Sequence, residues 1–106
     1  MKIAIVSSTN DSETVWNAFR FANFCLGKNE ETKIFLIGKG VEAEQVSNDT
    51  FNVKEQMEKF VAAKGEILAC GTCFTIRNSG GTELCPPSTM NDLYEMVKEA
   101  DRVVTF

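Results

Sequence analysis

Ile67-Leu68-Ala69 running straight into Cys70-Gly71-Thr72-Cys73 decides how this chain folds and where its chemistry sits. Three apolar residues followed at once by a thiol pair read as a short central strand of a parallel sheet giving way to a helix. At such a junction backbone N–H groups and the helix dipole favour a thiolate. Arg77, the only nearby cation, lies four residues past Cys73 and seven past Cys70, so a helix carries all three on one face. A reactive thiol site is the first functional expectation.

Working outward, the same alternation of strand and helix recurs. Upstream, Lys2 to Ser8 is an apolar, β-branched strand, and Thr9-Asn10-Asp11-Ser12 supplies turn and N-cap chemistry. Val15, Ala18, Phe19, Ala22, Cys25 and Leu26 then recur at helical spacing up to Gly27, which places Cys25 on a buried stripe. Thr32 to Ile37 reads as a second strand broken by Gly38-Lys39-Gly40, and Phe51 to Lys64 as a helix with Val53, Met57, Phe60 and Val61 on one face. Between them Val41 to Thr50 is a polar connection without periodicity, suited to a lid or a partner surface.

Downstream, a short helix runs through Arg77, and Asn78-Ser79-Gly80-Gly81 forms a flexible turn. Thr82 to Pro87 is a short extended piece stopped by its double proline. Ser88 is the expected N-cap of a last helix with Met90, Leu93, Met96, Val97 and Ala100 on its core face, and Arg102 to Phe106 is the closing strand. This order predicts an α/β fold, a mostly parallel sheet with helices on both faces, with reactive groups gathered beyond the carboxyl ends of the strands.

The bulk properties bound the function. With 106 residues, 43% of them hydrophobic and 25% charged, the chain reads as a single domain spanning 1–106 with a real core. Eleven basic against fifteen acidic residues leave a net charge of -4, and no basic stripe suits direct nucleic-acid binding. The apolar start, Ile3-Ala4-Ile5-Val6, is too short for a signal peptide core or a membrane span, so a cytoplasmic address and no membrane partner are expected. In a reducing compartment four cysteines point to free, catalytic or metal-bound thiols rather than structural disulfides. The absence of His removes the commonest general base and metal ligand.

Several stretches together resemble the DsrE/DsrF-like sulfur-relay family, nearly end to end. They are Val15-Trp16-Asn17-Ala18-Phe19-Arg20-Phe21-Ala22, Asn52-Val53, Ile67-Leu68-Ala69-Cys70-Gly71-Thr72-Cys73 with Arg77, and Leu84-Cys85-Pro86 followed by Ser88-Thr89-Met90. The resemblance implies a three-layer α/β/α protein with a mainly parallel five-stranded sheet, assembled as a homotrimer, homohexamer or related hetero-oligomer. It further implies that Cys70 carries sulfur as a persulfide between donor and acceptor proteins. Cys73 matches only members with the paired motif, and Asn78 stands where a glycine commonly follows the arginine.

Each site residue has more than one reading. An ordinary thiol has a pKa of about 8.5, so Cys70 needs local help to be more than a few per cent ionised at neutral pH. Its alternative role is a small core residue. Cys73 is a resolving thiol, a second sulfur acceptor or a packed neighbour. Arg77 either steadies a thiolate or bound oxyanion or pairs with a carboxylate on the helix surface. Cys85, before Pro86-Pro87, either folds back over the site or fills a gap in a loop. Zinc or an iron–sulfur cluster would need Cys85 and a further ligand besides the one close pair, so no metal and no cofactor are expected. Ser7-Ser8-Thr9-Asn10-Asp11 lacks the glycine fingerprint of a nucleotide site and suits helix capping instead. Trp16, Phe19, Phe21 and Phe24 cover more of the first helix than one sheet face needs, and subunit contact is the expected outlet.

The favoured function is thus a persulfide carrier of sulfurtransferase type. A dithiol redox protein cycling through a Cys70–Cys73 disulfide and a non-catalytic oligomeric binding module are the alternatives.

Overall fold

Ile3, Ile5 and Val6 put Lys2–Ser7 into the first strand, β1, which lies between two neighbours in the sheet. The computed structural model describes every residue, Met1–Phe106. After β1 come α1 (Ser12–Gly27), β2 (Glu31–Leu36), a 3-10 turn (Gly38–Glu42), α2 (Val53–Ala62), β3 (Glu66–Cys70), α3 (Gly71–Ile76), β4 (Pro87–Ser88), α4 (Met90–Glu99) and β5 (Arg102–Thr105). The sheet order is β4-β3-β2-β1-β5, and every neighbouring pair is parallel.

Right-handed crossovers explain the layers. The chain steps in one direction from β1 to β2 to β3, which puts α1 and α2 on the same face. They pack together there, with Phe19 and Phe60 edge to face at 6.2 Å between ring centroids. Ile5, Ile34 and Ile67 stand in register across three strands and are all buried. From the β4 edge α4 returns across the sheet to β5 on the opposite edge, so it covers the other face. The result is the expected three-layer α/β/α architecture around a five-stranded sheet. Helix starts are fixed by side chains that accept orphan N–H groups: Asp11 from Thr14 at 3.0 Å, Asn52 from Glu55 at 3.1 Å, and Thr89 from Asp92 in a capping box.

Several segments differ from expectation. On α4 Met90 and Val97 are exposed, leaving Met96 buried and Leu93 and Ala100 partly so, and on α2 Val61 is exposed, because each helix meets the rest of the fold along a narrower stripe than its apolar spacing offers. The polar connection after β2 is not a free lid. Val41 and Ala43 turn inward and are buried, because the 3-10 turn seats them against the end of the sheet. The extended piece Thr82 to Pro87 contributes only its last residue to the sheet, and the strand is Pro87–Ser88. A proline is tolerated there because β4 is an edge strand. Ser88 is therefore a strand residue, and Thr89 is the N-cap of α4. Of the α1 aromatics, Phe19 is fully interior and Trp16 packs on Phe51 at 5.4 Å beneath Arg20. Phe24, 64% exposed, and Phe21 are left facing outward. No helix is long and apolar enough to cross a membrane.

Gly40 marks the tightest approach of the 3-10 turn to β1. A Cβ there would lie 2.2 Å from the Ser7 carbonyl oxygen, backbone against backbone. Gly40→Ala should therefore lower the unfolding free energy by about 1–3 kcal/mol in chemical denaturation. Gly27→Ala, with no atom within 4 Å of the added carbon, should not. Equal stability of the two variants would show that the turn is not seated against β1.

Candidate functional site

Cys70 is both the last residue of β3 and the N-cap of α3, with φ -62 and ψ 115, so no loop separates strand from helix. The sharp junction depends on Gly71, whose missing side chain leaves room for β4. A Cβ there would sit 3.2 Å from the Ser88 carbonyl oxygen. In this position the Cys70 sulfur does what a serine or aspartate oxygen does at other helix starts. It accepts the Cys73 backbone N–H at 3.4 Å. A helix of six residues has little macrodipole of its own, so these local N–H groups carry the electrostatics.

The two thiols are pushed apart in acidity. Burial opposes ionisation of Cys70, but hydrogen bonds from the Cys73 thiol, the Cys73 N–H and the Thr72 N–H outweigh it, and its pKa falls below the ordinary thiol value. Burial also opposes ionisation of Cys73, and donation of its proton to Cys70 adds to the effect. The Gly38 N–H, 3.2 Å from its sulfur, pulls the other way, the charge on Cys70 raises it further, and the Arg77 cation offsets little, so the net shift is upward. Cys70 is thus the more acidic thiol of the pair, and its sulfur accepts the Cys73 N–H.

Arg77 does not reach the Cys70 sulfur. Its Nε donates to Glu42 Oε2 at 2.8 Å and its Nη1 to the Cys73 carbonyl at 3.1 Å. Glu42 also accepts from Asn10 Nδ2 at 3.5 Å, and Arg77 first, then Asn10, hold its carboxyl below the usual carboxylate range. The pair ties the 3-10 turn to the end of α3, and the same turn aims Gly38 at Cys73. Gly38 has φ +57, a left-handed backbone that glycine adopts without strain. Sequence reasoning missed Glu42 because a single acid in an aperiodic polar stretch carries no signal of its partner.

Cys85 is set apart. It is 2% exposed and does not line the cleft that holds the pair. Burial first, then the neighbouring Glu44, push its thiol up to about 12. Thr82 fixes the segment, accepting the Cys85 N–H at 3.2 Å and donating to Glu44. Cys25 is buried in the core on α1, as its helical spacing predicted. No three potential metal ligands come together anywhere in the chain.

Cys70 is only 7% exposed, yet it and Cys73 line an open cleft of about 780 Å³ between α3, the Ser79-Gly80 turn and the start of α4. Thr72, Ser79, Ser88 and the apolar Met90 are among the residues that line this space, and no charged residue lines it. The arrangement suits an uncharged, polarisable reactant at an activated sulfur.

A family model for DsrE/DsrF-like proteins matches residues 1–106. The chain belongs to the DsrE/DsrF-like family. Among relatives, an uncharacterized protein of Methanopyrus kandleri is 34% identical, over 98% of this chain and 91% of that one. An uncharacterized protein of Methanocaldococcus jannaschii is 31% identical, over 98% and 96%. The crystal structure of the ychN protein from E. coli is similar with a TM-score of 0.87 at 25% identity, covering 100% of this chain and 99% of that one. A conserved protein of unknown function from Bacteroides thetaiotaomicron shares the fold, with a TM-score of 0.75 at 23% identity, covering 99% and 94%.

In this DsrE/DsrF-like chain, alkylation of the native protein by a neutral reagent should modify Cys70 first, with a pH midpoint below that of a free thiol, and leave Cys85 untouched until unfolding. Cys73→Ala removes the S–H donor and should move the Cys70 midpoint upward, and Cys73→Ser, which keeps a donor, should move it less. Peptide mapping across a pH series checks both. A midpoint indifferent to position 73 would contradict the hydrogen-bond assignment.

Proposed function

We propose that this DsrE/DsrF-like chain is a persulfide carrier in which Cys70 accepts and passes on sulfur. The observation that carries the reading is the Cys70 sulfur accepting the Cys73 N–H, its ionisation favoured, at the wall of a cleft with no charged lining. In loading, the Cys70 thiolate attacks the outer sulfur of a donor persulfide. The bond between the two donor sulfurs breaks, and the donor leaves as a thiolate. In delivery, an acceptor thiolate attacks the outer sulfur now held on Cys70, and Cys70 departs as a thiolate. The donor bonds that favour thiolate in the free protein also make Cys70 a good leaving group in the second step.

Donor and acceptor are proteins in this reading, because a reactant presented on a protein segment can enter an uncharged cleft without bringing an ionic headgroup. The exposed Tyr94 and Val97 on α4, with Phe24 on α1, support self-association, and the family resemblance implies a homotrimer or homohexamer. Four free cysteines fit a reducing, cytoplasmic setting. A second reading, a dithiol redox protein, is favoured by one observation only, the contact between Cys73 and Cys70. There the disulfide is the product, and no sulfur atom is gained.

Incubation with a cysteine desulfurase and cysteine, followed by intact mass and peptide mapping, separates the two. The parent should gain a sulfur atom on Cys70, and Cys70→Ser should reduce loading by about tenfold or more while its circular dichroism stays unchanged. A Cys70→Ser protein that loads as well as the parent would remove Cys70 from the chemistry.

A further inference from the structure

Cys73 faces the same cleft as Cys70 but takes no covalent part in the relay step. Its backbone N–H is 3.4 Å from the Cys70 sulfur, its own sulfur receives the Gly38 N–H at 3.2 Å, and both residues lie in one turn of chain. We propose, building on the carrier reading above, that Cys73 limits the lifetime of sulfur on Cys70 by expelling it as sulfide and closing a Cys70–Cys73 disulfide. The protein would then deliver sulfur in two forms: sulfane sulfur to a thiol acceptor when one is docked, and sulfide when none is.

The step balances within the chain. Cys73 thiolate attacks the inner sulfur, Cys70 Sγ, and a bond forms between the two cysteine sulfurs. The bond from Cys70 Sγ to the outer sulfur breaks, and the outer sulfur leaves with the electron pair as hydrosulfide. The proton that Cys73 gives up in becoming the thiolate ends on the departing outer sulfur, which makes it hydrosulfide. The sulfane sulfur is reduced, and the two cysteine sulfurs are oxidised to the disulfide, so no outside oxidant enters. A low-molecular-weight thiol or a dithiol protein restores the starting state by exchange.

The geometry also explains why Cys73 waits. While Cys70 carries negative charge, that charge opposes a second ionisation at Cys73 alongside it. Loading bonds Cys70 Sγ to the outer sulfur, which carries the charge one atom further into the cleft. The Gly38 N–H stays on Cys73, because its direction is set by left-handed backbone and by the Glu42–Arg77 tie rather than by a mobile side chain. Cys73 is thus released to attack only after Cys70 is loaded.

The test loads the parent, Cys73→Ser and Cys73→Ala with inorganic polysulfide, removes the excess, and follows intact mass and released sulfide without any acceptor. The parent should lose its extra sulfur in a first-order decay independent of protein concentration, with one sulfide per disulfide formed. Both variants should hold the sulfur about tenfold longer. Adding sulfide to the oxidised parent should run the step backwards and place one sulfur on Cys70. Equal lifetimes in parent and variants, or sulfur lost without a disulfide, would overturn the inference while leaving the carrier reading intact. Failure of Cys70 to take up sulfur at all would bring down both.

Discussion

The sulfur of Cys70, standing as the N-cap of α3 and accepting the Cys73 N–H, is what the rest of the site depends on. Cys70 is taken partly out of water, which by itself would keep the thiol protonated. The Cys73 S–H, the Cys73 N–H and the Thr72 N–H reverse that outcome, and they can do so only because β3 turns into α3 without an intervening loop. Gly71 makes the turn possible by letting β4 lie against it. The parallel sheet supplies the position, since reactive groups in such folds stand beyond the carboxyl ends of the strands. The activation is dipolar rather than ionic, and the cleft beside it has no charged lining. Dipoles fixed in backbone need not reorganise as charge moves onto and off the sulfur.

The 3-10 turn after β2 is the second structural element of the site. It buries Val41 and Ala43, presses Gly40 onto the end of β1, points Gly38 at Cys73 and offers Glu42 to Arg77. One five-residue turn thereby connects the core to the Cys73 thiol. Arg77 acts through this connection and through the Cys73 carbonyl rather than by facing the thiolate. Its charge reaches the pair as a small influence on Cys73.

Much of this was legible in the amino-acid sequence because strong periodicity and local chemistry agreed. The apolar spacing of α1 and α2, the Asp11 cap and the short apolar β3 all gave elements at the expected places. The strand-to-helix position of Cys70 followed from chain order. What stayed hidden depends on partners far apart in sequence. Nothing local tells that Glu42 meets Arg77, that Gly38 meets Cys73, or that Cys85 meets Glu44. The shared helical face that suggested Arg77 beside Cys70 failed because α3 ends at Ile76, leaving Arg77 as its C-cap and free to swing toward the turn. The two-residue β4 was misplaced because prolines normally argue against a strand, and an edge position is visible only once the sheet order is known.

The decisive quantity is the order in which the two cleft thiols lose their protons. Carbon NMR of protein labelled at the cysteine Cβ positions, titrated under reducing conditions and assigned with single substitutions, reads both sites in one sample. Cys70 should titrate below the ordinary thiol value and Cys73 above it, as two separate events. Titration together at the ordinary value, or with Cys73 first, would contradict the assignment of Cys70 as the activated sulfur.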